Sequence, residues 1–174
     1  MTEKEIVETI RSSGARGVGV CAVSDIVFDK SLRGCCEANY CGAYGKNYAC
    51  PPLCGTADEM IERVKKFDRA IVFQTVSALS DSFDFEGMTK AAKNHSTLHL
   101  ELLKKTGVSF SLAVGGCGIC ESCAAVSDEP CRFPSRVIHS LEASCINVSE
   151  LARTVGLNYI NGENTVTYFS AFFL

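Results

Sequence analysis

The sequence predicts an α/β fold, a mixed sheet flanked by helices, from which two cysteine-rich loops project. Three observations carry that expectation. Segments with apolar residues at helical spacing alternate with short strand-like runs, glycines punctuate them, and most of the eleven cysteines fall into two compact groups.

Taken in order, residues 3–12 place Ile6, Val7 and Ile10 at helical spacing, and Gly14 and Gly17 close that helix before the β-rich run Val18 to Val23. After the first cysteine loop, Thr56 with Glu59 three residues on offers a capping box, and Met60, Ile61, Val64 and Phe67 form one apolar helical face. Residues 70–76 are almost continuously apolar, as in a strand covered on both faces. A longer helix is expected from about Phe85 to Lys105, with Met88, Ala91, Leu98 and Leu102 inward and Gly107 as its stop.

Residues 108–114 alternate and then meet Gly115-Gly116, so the second cysteine loop leaves the C-terminal end of a strand, the edge where open α/β sheets carry ligands. After Pro134 the stretch SRVIHSLEASC reads as helical. A further helix opens at Ser149 with leucines and Ala152 inward, and Gly156 and Asn161-Gly162 precede an apolar terminal strand that the protein's own core is expected to bury. One domain over residues 1–174 is the simplest organisation, with cysteine loops at about 34–55 and 115–134.

Composition narrows the function classes. The 174 residues are 47% hydrophobic and 21% charged, the balance of a compact globule rather than a disordered chain. The formal charge of −3 and the lack of a basic run leave no electrostatic footprint for nucleic acid or an anionic membrane surface. The N-terminus lacks the pattern of a signal peptide, and no stretch approaches the roughly 18 apolar residues of a membrane span, so a soluble cytoplasmic protein is expected. A P-loop, a G-x-G-x-x-G fingerprint and a G-x-S-x-G elbow are all missing.

Eleven thiols in a reducing compartment do not make a disulfide framework, and an odd number leaves one over in any pairing; metal ligation is the better reading. Cys117, Cys120, Cys123 and Cys131 have the spacing C-x2-C-x2-C-x7-C among small residues, which lets the backbone wrap a cubane so that each sulfur reaches a different iron. That points to a [4Fe-4S] cluster. Zinc is the competing metal, though its sites usually pair two distant C-x2-C knuckles, and reduced buried thiols are the third reading. Seven residues, not the three of a bacterial ferredoxin run, precede Cys131.

The first group, Cys36-x4-Cys41-x8-Cys50-Pro51-Pro52-x-Cys54, is less regular, and its prolines would hold a thiolate rigid. With the intervening Tyr44-Gly45-Lys46-Asn47 and the downstream Gly-Gly-Cys-Gly-x-Cys-x-x-Cys, Pro-Cys-Arg-x-Pro and Ser-Leu-Glu-Ala stretches, it resembles a family of predicted metal-binding proteins, a domain of unknown function from anaerobic bacteria and archaea. The resemblance covers roughly residues 15–174. It implies a compact α/β domain with a metal or cluster, Cys36, Cys41 and Cys50 matching the first motif and Cys117, Cys120, Cys123 and Cys131 the second. Cys35 and Cys54 stand outside the matched positions.

The first site stays open at this level. Cys54 or Cys35 could complete a second cluster, an iron could keep an open position as Lewis acid or sulfide acceptor with Tyr44 or Lys46 as proton donor, Cys131 could be shared between the groups, or the thiols could hold zinc. The leading expectation is an iron-sulfur protein exchanging electrons with a partner redox enzyme; an open-cluster enzyme and a zinc-stabilised binding module are the alternatives. Lys46, Arg132 and Arg136 flank the thiolates, where cations would raise a cluster's potential. His95 and His99 are expected to be solvated or capping and His139 to lie on a surface helix. Cys21 and Cys145 are expected as small core residues, on a strand and a helix face respectively.

Overall fold

Capping boxes start two of the helices. In α1 (Glu3–Arg11) the Thr2 side chain accepts from the Glu5 N–H while the Glu5 carboxylate accepts from the Thr2 N–H, and Thr56 and Glu59 repeat the exchange further on. The computed structural model describes residues 1–174. After α1 come β1 (Gly17–Ala22), α2 (Leu32–Glu37), α3 (Ala57–Val64), β2 (Arg69–Ala78), α4 (Phe85–Thr106), β3 (Phe110–Ala113), β4 (His139–Ser140), α5 (Val148–Thr154) and β5 (Thr165–Phe173).

The strands form one mixed sheet in the order β1-β2-β5-β3-β4, antiparallel throughout except for the parallel β3–β4 pair. The period of two along β2 separates its cores. Ala70 and Val72 pack with Val64, Leu151 and Ile146 on one face, while Ile71 and Phe73 pack with Ile6, Ile10 and Leu102 on the other. The terminal strand thus lies at the centre of the sheet, with Phe172 and Phe173 fully buried, as its composition demands. Gly19 is required where β1 meets the end of α5: a Cβ there would lie 2.3 Å from the Val155 carbonyl. No helix is long and apolar enough to cross a membrane.

Four expectations are corrected. The stretch SRVIHSLEASC is not a helix: it holds a short 3-10 turn at Pro134–Arg136, then β4, then turns. The Ser140 hydroxyl accepts from the Ala143 N–H and the Ser144 hydroxyl donates to the Ser140 carbonyl, local bonds that compete with helix, and pairing with β3 takes His139 and Ser140. His139 therefore sits on a strand, and Cys145 is buried in a left-handed turn (φ 59) rather than on a helix face. The last helix is capped by Asn147, with Ser149 inside its first turn.

The fourth concerns His95 and His99, which are fully buried beneath α4 rather than solvated. His95 bonds Thr75 (2.8 Å) and Ser170 (2.8 Å), and His99 bonds the same Ser170 (2.9 Å) and Ser111 (3.0 Å). Burial holds them neutral, with pKa values lowered to about 4 and about 3. The first cysteine loop also contains a helix, since α2 carries Cys35 and Cys36.

Candidate metal centre

The second cysteine group hangs from the end of β3. Gly115 (φ 66) turns the chain out, a 3-10 turn at Ala124–Ser127 follows Cys123, and Asp128 in the left-handed region (φ 55) sends it back toward Cys131. Arg132 pins the excursion by donating to the Ser122 carbonyl (3.0 Å), while Arg136 lies over the Phe133 ring. The consequence is that Cys117, Cys120, Cys123 and Cys131, all half-buried, line one cavity with Tyr48, Ile119 and Arg132. Its volume is about 20 Å³, room for about one water molecule, so a cubane would need a wider loop than this one.

Asn47 joins this loop to the first. Its side-chain oxygen accepts from the Cys117 N–H (3.3 Å) and the Ala49 N–H (2.9 Å), and its NH2 donates to the Cys117 carbonyl (3.4 Å). Gly116 is the residue that permits the approach, since a Cβ would lie 2.8 Å from the Asn47 amide nitrogen. Tyr48 adds a bond from its hydroxyl to the Glu129 carbonyl (2.9 Å).

In the first group, Cys36, Cys41 and Cys50 line a second cavity of about 670 Å³ with Tyr44, Phe85, Met88, Glu142 and Tyr168. It opens because β3 pairs with β5 only as far as Ala171, leaving Tyr168 uncovered beyond the end of β3. Cys54 is elsewhere: 3% exposed, it packs with Met60 and Ala143, and its thiol donates to the Gly55 carbonyl (3.7 Å). Cys35 is exposed and lines neither cavity.

Burial pushes the Cys50 pKa up to about 12, and neighbouring Cys41, Cys54, Cys36 and Cys123 push the same way. Because Cys123 belongs to the other loop, the two groups share one electrostatic neighbourhood. Cys36 and Cys54 are also raised by burial, with the Arg33 guanidinium pulling each down. Arg33 donates from Nη1 to the Gly55 carbonyl (3.2 Å), but its Nε and Nη2 are buried without a hydrogen-bond partner, near enough to act on Cys54 yet not satisfied by it. A half-buried guanidinium with two covered, unpartnered donors fits an anionic group beside Cys36 and Cys54.

No three Cys, His, Asp or Glu side chains stand close enough together to hold a single ion as they are. One tetrahedral zinc would draw its sulfurs to about 3.8 Å of one another. All eleven thiols are free.

Of the other residues singled out, Tyr44 lines the large cavity, whereas Lys46 is exposed and lines neither. His139 faces the Ala49 carbonyl (3.4 Å) and Arg63 (3.5 Å) and lines neither thiol cavity, and burial lowers its pKa. Cys21 is buried in β1 as expected. Arg33, Asn47 and Glu142 were not foreseen as functional. Asn47 had a signal in its place between ligands in the first motif, and Glu142 in the Ser-Leu-Glu-Ala stretch; Arg33 had none. Glu142 is reached by solvent in the cavity yet surrounded by protein, and that burial raises its pKa, against a backbone hydrogen bond and Ser140.

No curated protein and no solved structure matches the chain significantly. A family model does, over residues 20–174, and takes in every thiol of both groups. The chain therefore belongs to the family described as "Predicted metal-binding protein (DUF2284)".

Proposed function

We propose that this metal-binding protein is an iron-sulfur protein whose second thiol group holds a [4Fe-4S] cluster and exchanges electrons with a partner redox enzyme. One observation carries the reading: four cysteines spaced C-x2-C-x2-C-x7-C line a single cavity beside a second set of thiols. Cys117, Cys120, Cys123 and Cys131 would hold the cluster, which supplies reversible one-electron chemistry when bound. The chain's own part is to set the potential through the nearby Arg132 and the backbone N–H groups of a glycine-rich loop, and to keep the thiols near the surface, within reach of a partner.

Anaerobic reconstitution tests this. The expected result is a brown protein with matching iron and sulfide and a paramagnetic signal on reduction, and Cys120→Ala and Cys123→Ala should each remove that group's share of both elements. A colourless protein with stoichiometric zinc would overturn it.

The first group supports a second reading, an open site. Three thiols face the large cavity while Cys54 is packed into apolar surroundings. Cys36, Cys41 and Cys50 would then hold a cluster with one free position. Cys54→Ala should leave iron content unchanged, and a proportional loss of iron would return Cys54 to the ligand set.

A further inference from the structure

The 670 Å³ cavity lies in the range of sites that take small organic molecules. One wall is apolar, built from Phe85, Met88 and Ala92 on α4 with Tyr168 from β5. That wall is braced, because the Tyr168 hydroxyl donates to the Met88 carbonyl (3.0 Å). The lining also includes Ser140, Glu142 and the three thiols.

None of the sixteen lining residues is Lys, Arg or His, and Arg33, although it acts on Cys36 and Cys54, lines a separate groove with Lys30 and Glu37, so the lining itself carries no cation to pair with a phosphate or carboxylate. The N-terminal end of α4 offers no substitute, since the Asp84 carboxylate already caps it by accepting from the Gly87 N–H (2.7 Å). Glu142 is the one carboxylate on the lining that also carries Phe85, Met88 and Tyr168.

We propose that this cavity is a binding site for a small, largely apolar molecule bearing an amine, its body against Phe85, Met88 and Tyr168 and its cationic head toward Glu142. The inference goes beyond the cluster reading, because the lining and its charge need no metal.

Equilibrium dialysis at pH 8 with 2-naphthylmethylamine and 2-naphthoate as probes tests it, on metal-free and on anaerobically reconstituted protein. The amine should be retained and the carboxylate bound about tenfold or more weakly. Glu142→Gln should erase that preference, and Ala92→Trp should weaken amine binding about tenfold by filling the cavity. Thr89→Trp, at an exposed lining position that leaves the core untouched, should do the same. Equal binding of both probes, no binding of the amine, or amine binding that survives both tryptophan variants would overturn the proposal. Amine binding in a protein that takes up no iron would sustain it while removing the cluster reading. A cluster with no amine binding would do the reverse.

Discussion

The histidines under α4 and the thiols at the end of the sheet are both clustered titratable sets, the first fully buried and the second half-buried or exposed, and their partners differ. Each nitrogen of His95 and His99 meets a hydroxyl, in the ladder Thr75–His95–Ser170–His99–Ser111. A neutral imidazole donates from one nitrogen and accepts at the other, so the shared Ser170 hydroxyl can serve both rings and the ladder is complete. At the other end of the sheet, Arg33 keeps two buried nitrogens idle, and Cys36, Cys41 and Cys50 face open space. Saturated polar groups fix a core, whereas unsaturated ones mark where something is to be bound. The difference assigns the histidines to architecture and the thiols with Arg33 to the site, although histidine is the more familiar metal ligand.

Acid should break the first half of this comparison with the largest effect. His95 and His99 have folded pKa values of about 4 and about 3, below the unfolded 6.5, so their contribution is full above pH 6.5 and is lost as pH falls. In metal-free protein, stability should drop by on the order of 5 kcal/mol between pH 6.5 and 4.5, comparable with a whole domain's stability. His139 acts in the same direction, while Glu142, whose pKa is raised, acts in the opposite one. Urea unfolding across that range checks it, and a flat profile would show that the ladder admits protons without opening.

Asn47→Ala tests the join between the loops, with a smaller effect. Loss of its three bonds should cost about 1–2 kcal/mol, seen as a fall of several degrees in the melting temperature. Metal loading should fall at both thiol groups together, and loss confined to one would mean the loops act separately.

Arg33→Met is expected to have the smallest effect, and one whose sign depends on the ligand. In metal-free protein it should be neutral or stabilising by up to about 1 kcal/mol, because a half-buried cation with two idle donors is replaced by an apolar side chain. In loaded protein it should speed metal loss to a chelator. A destabilisation above about 2 kcal/mol without metal would place Arg33 with the saturated set.

Much of the scaffold was legible because it is local. Thr2 and Thr56 cap their helices through residues three positions away, Gly107 stops α4 in the left-handed region, and the apolar run of β2 is buried on both faces, all set by short-range geometry. The failure at SRVIHSLEASC has the same origin viewed from the other side: its local pattern suited a helix, and pairing of β4 with β3, remote in sequence, overrode it. The burial of His95 was equally unreadable, since the hydroxyls that satisfy it lie 20 and 75 residues away.

The site divides along the same line. Sequence alone determined which thiols travel together, because ligand spacing within a loop is a property of a short stretch of backbone. Tertiary structure decided that Asn47 joins the two loops, that Cys54 turns inward while Cys36, Cys41 and Cys50 line a cavity, and that Arg33 and Glu142 accompany them. Those facts depend on where β3 stops and which elements pack around its end. Such packing reflects contacts between distant segments, whose cost and reward are set by the whole chain rather than by any stretch of it.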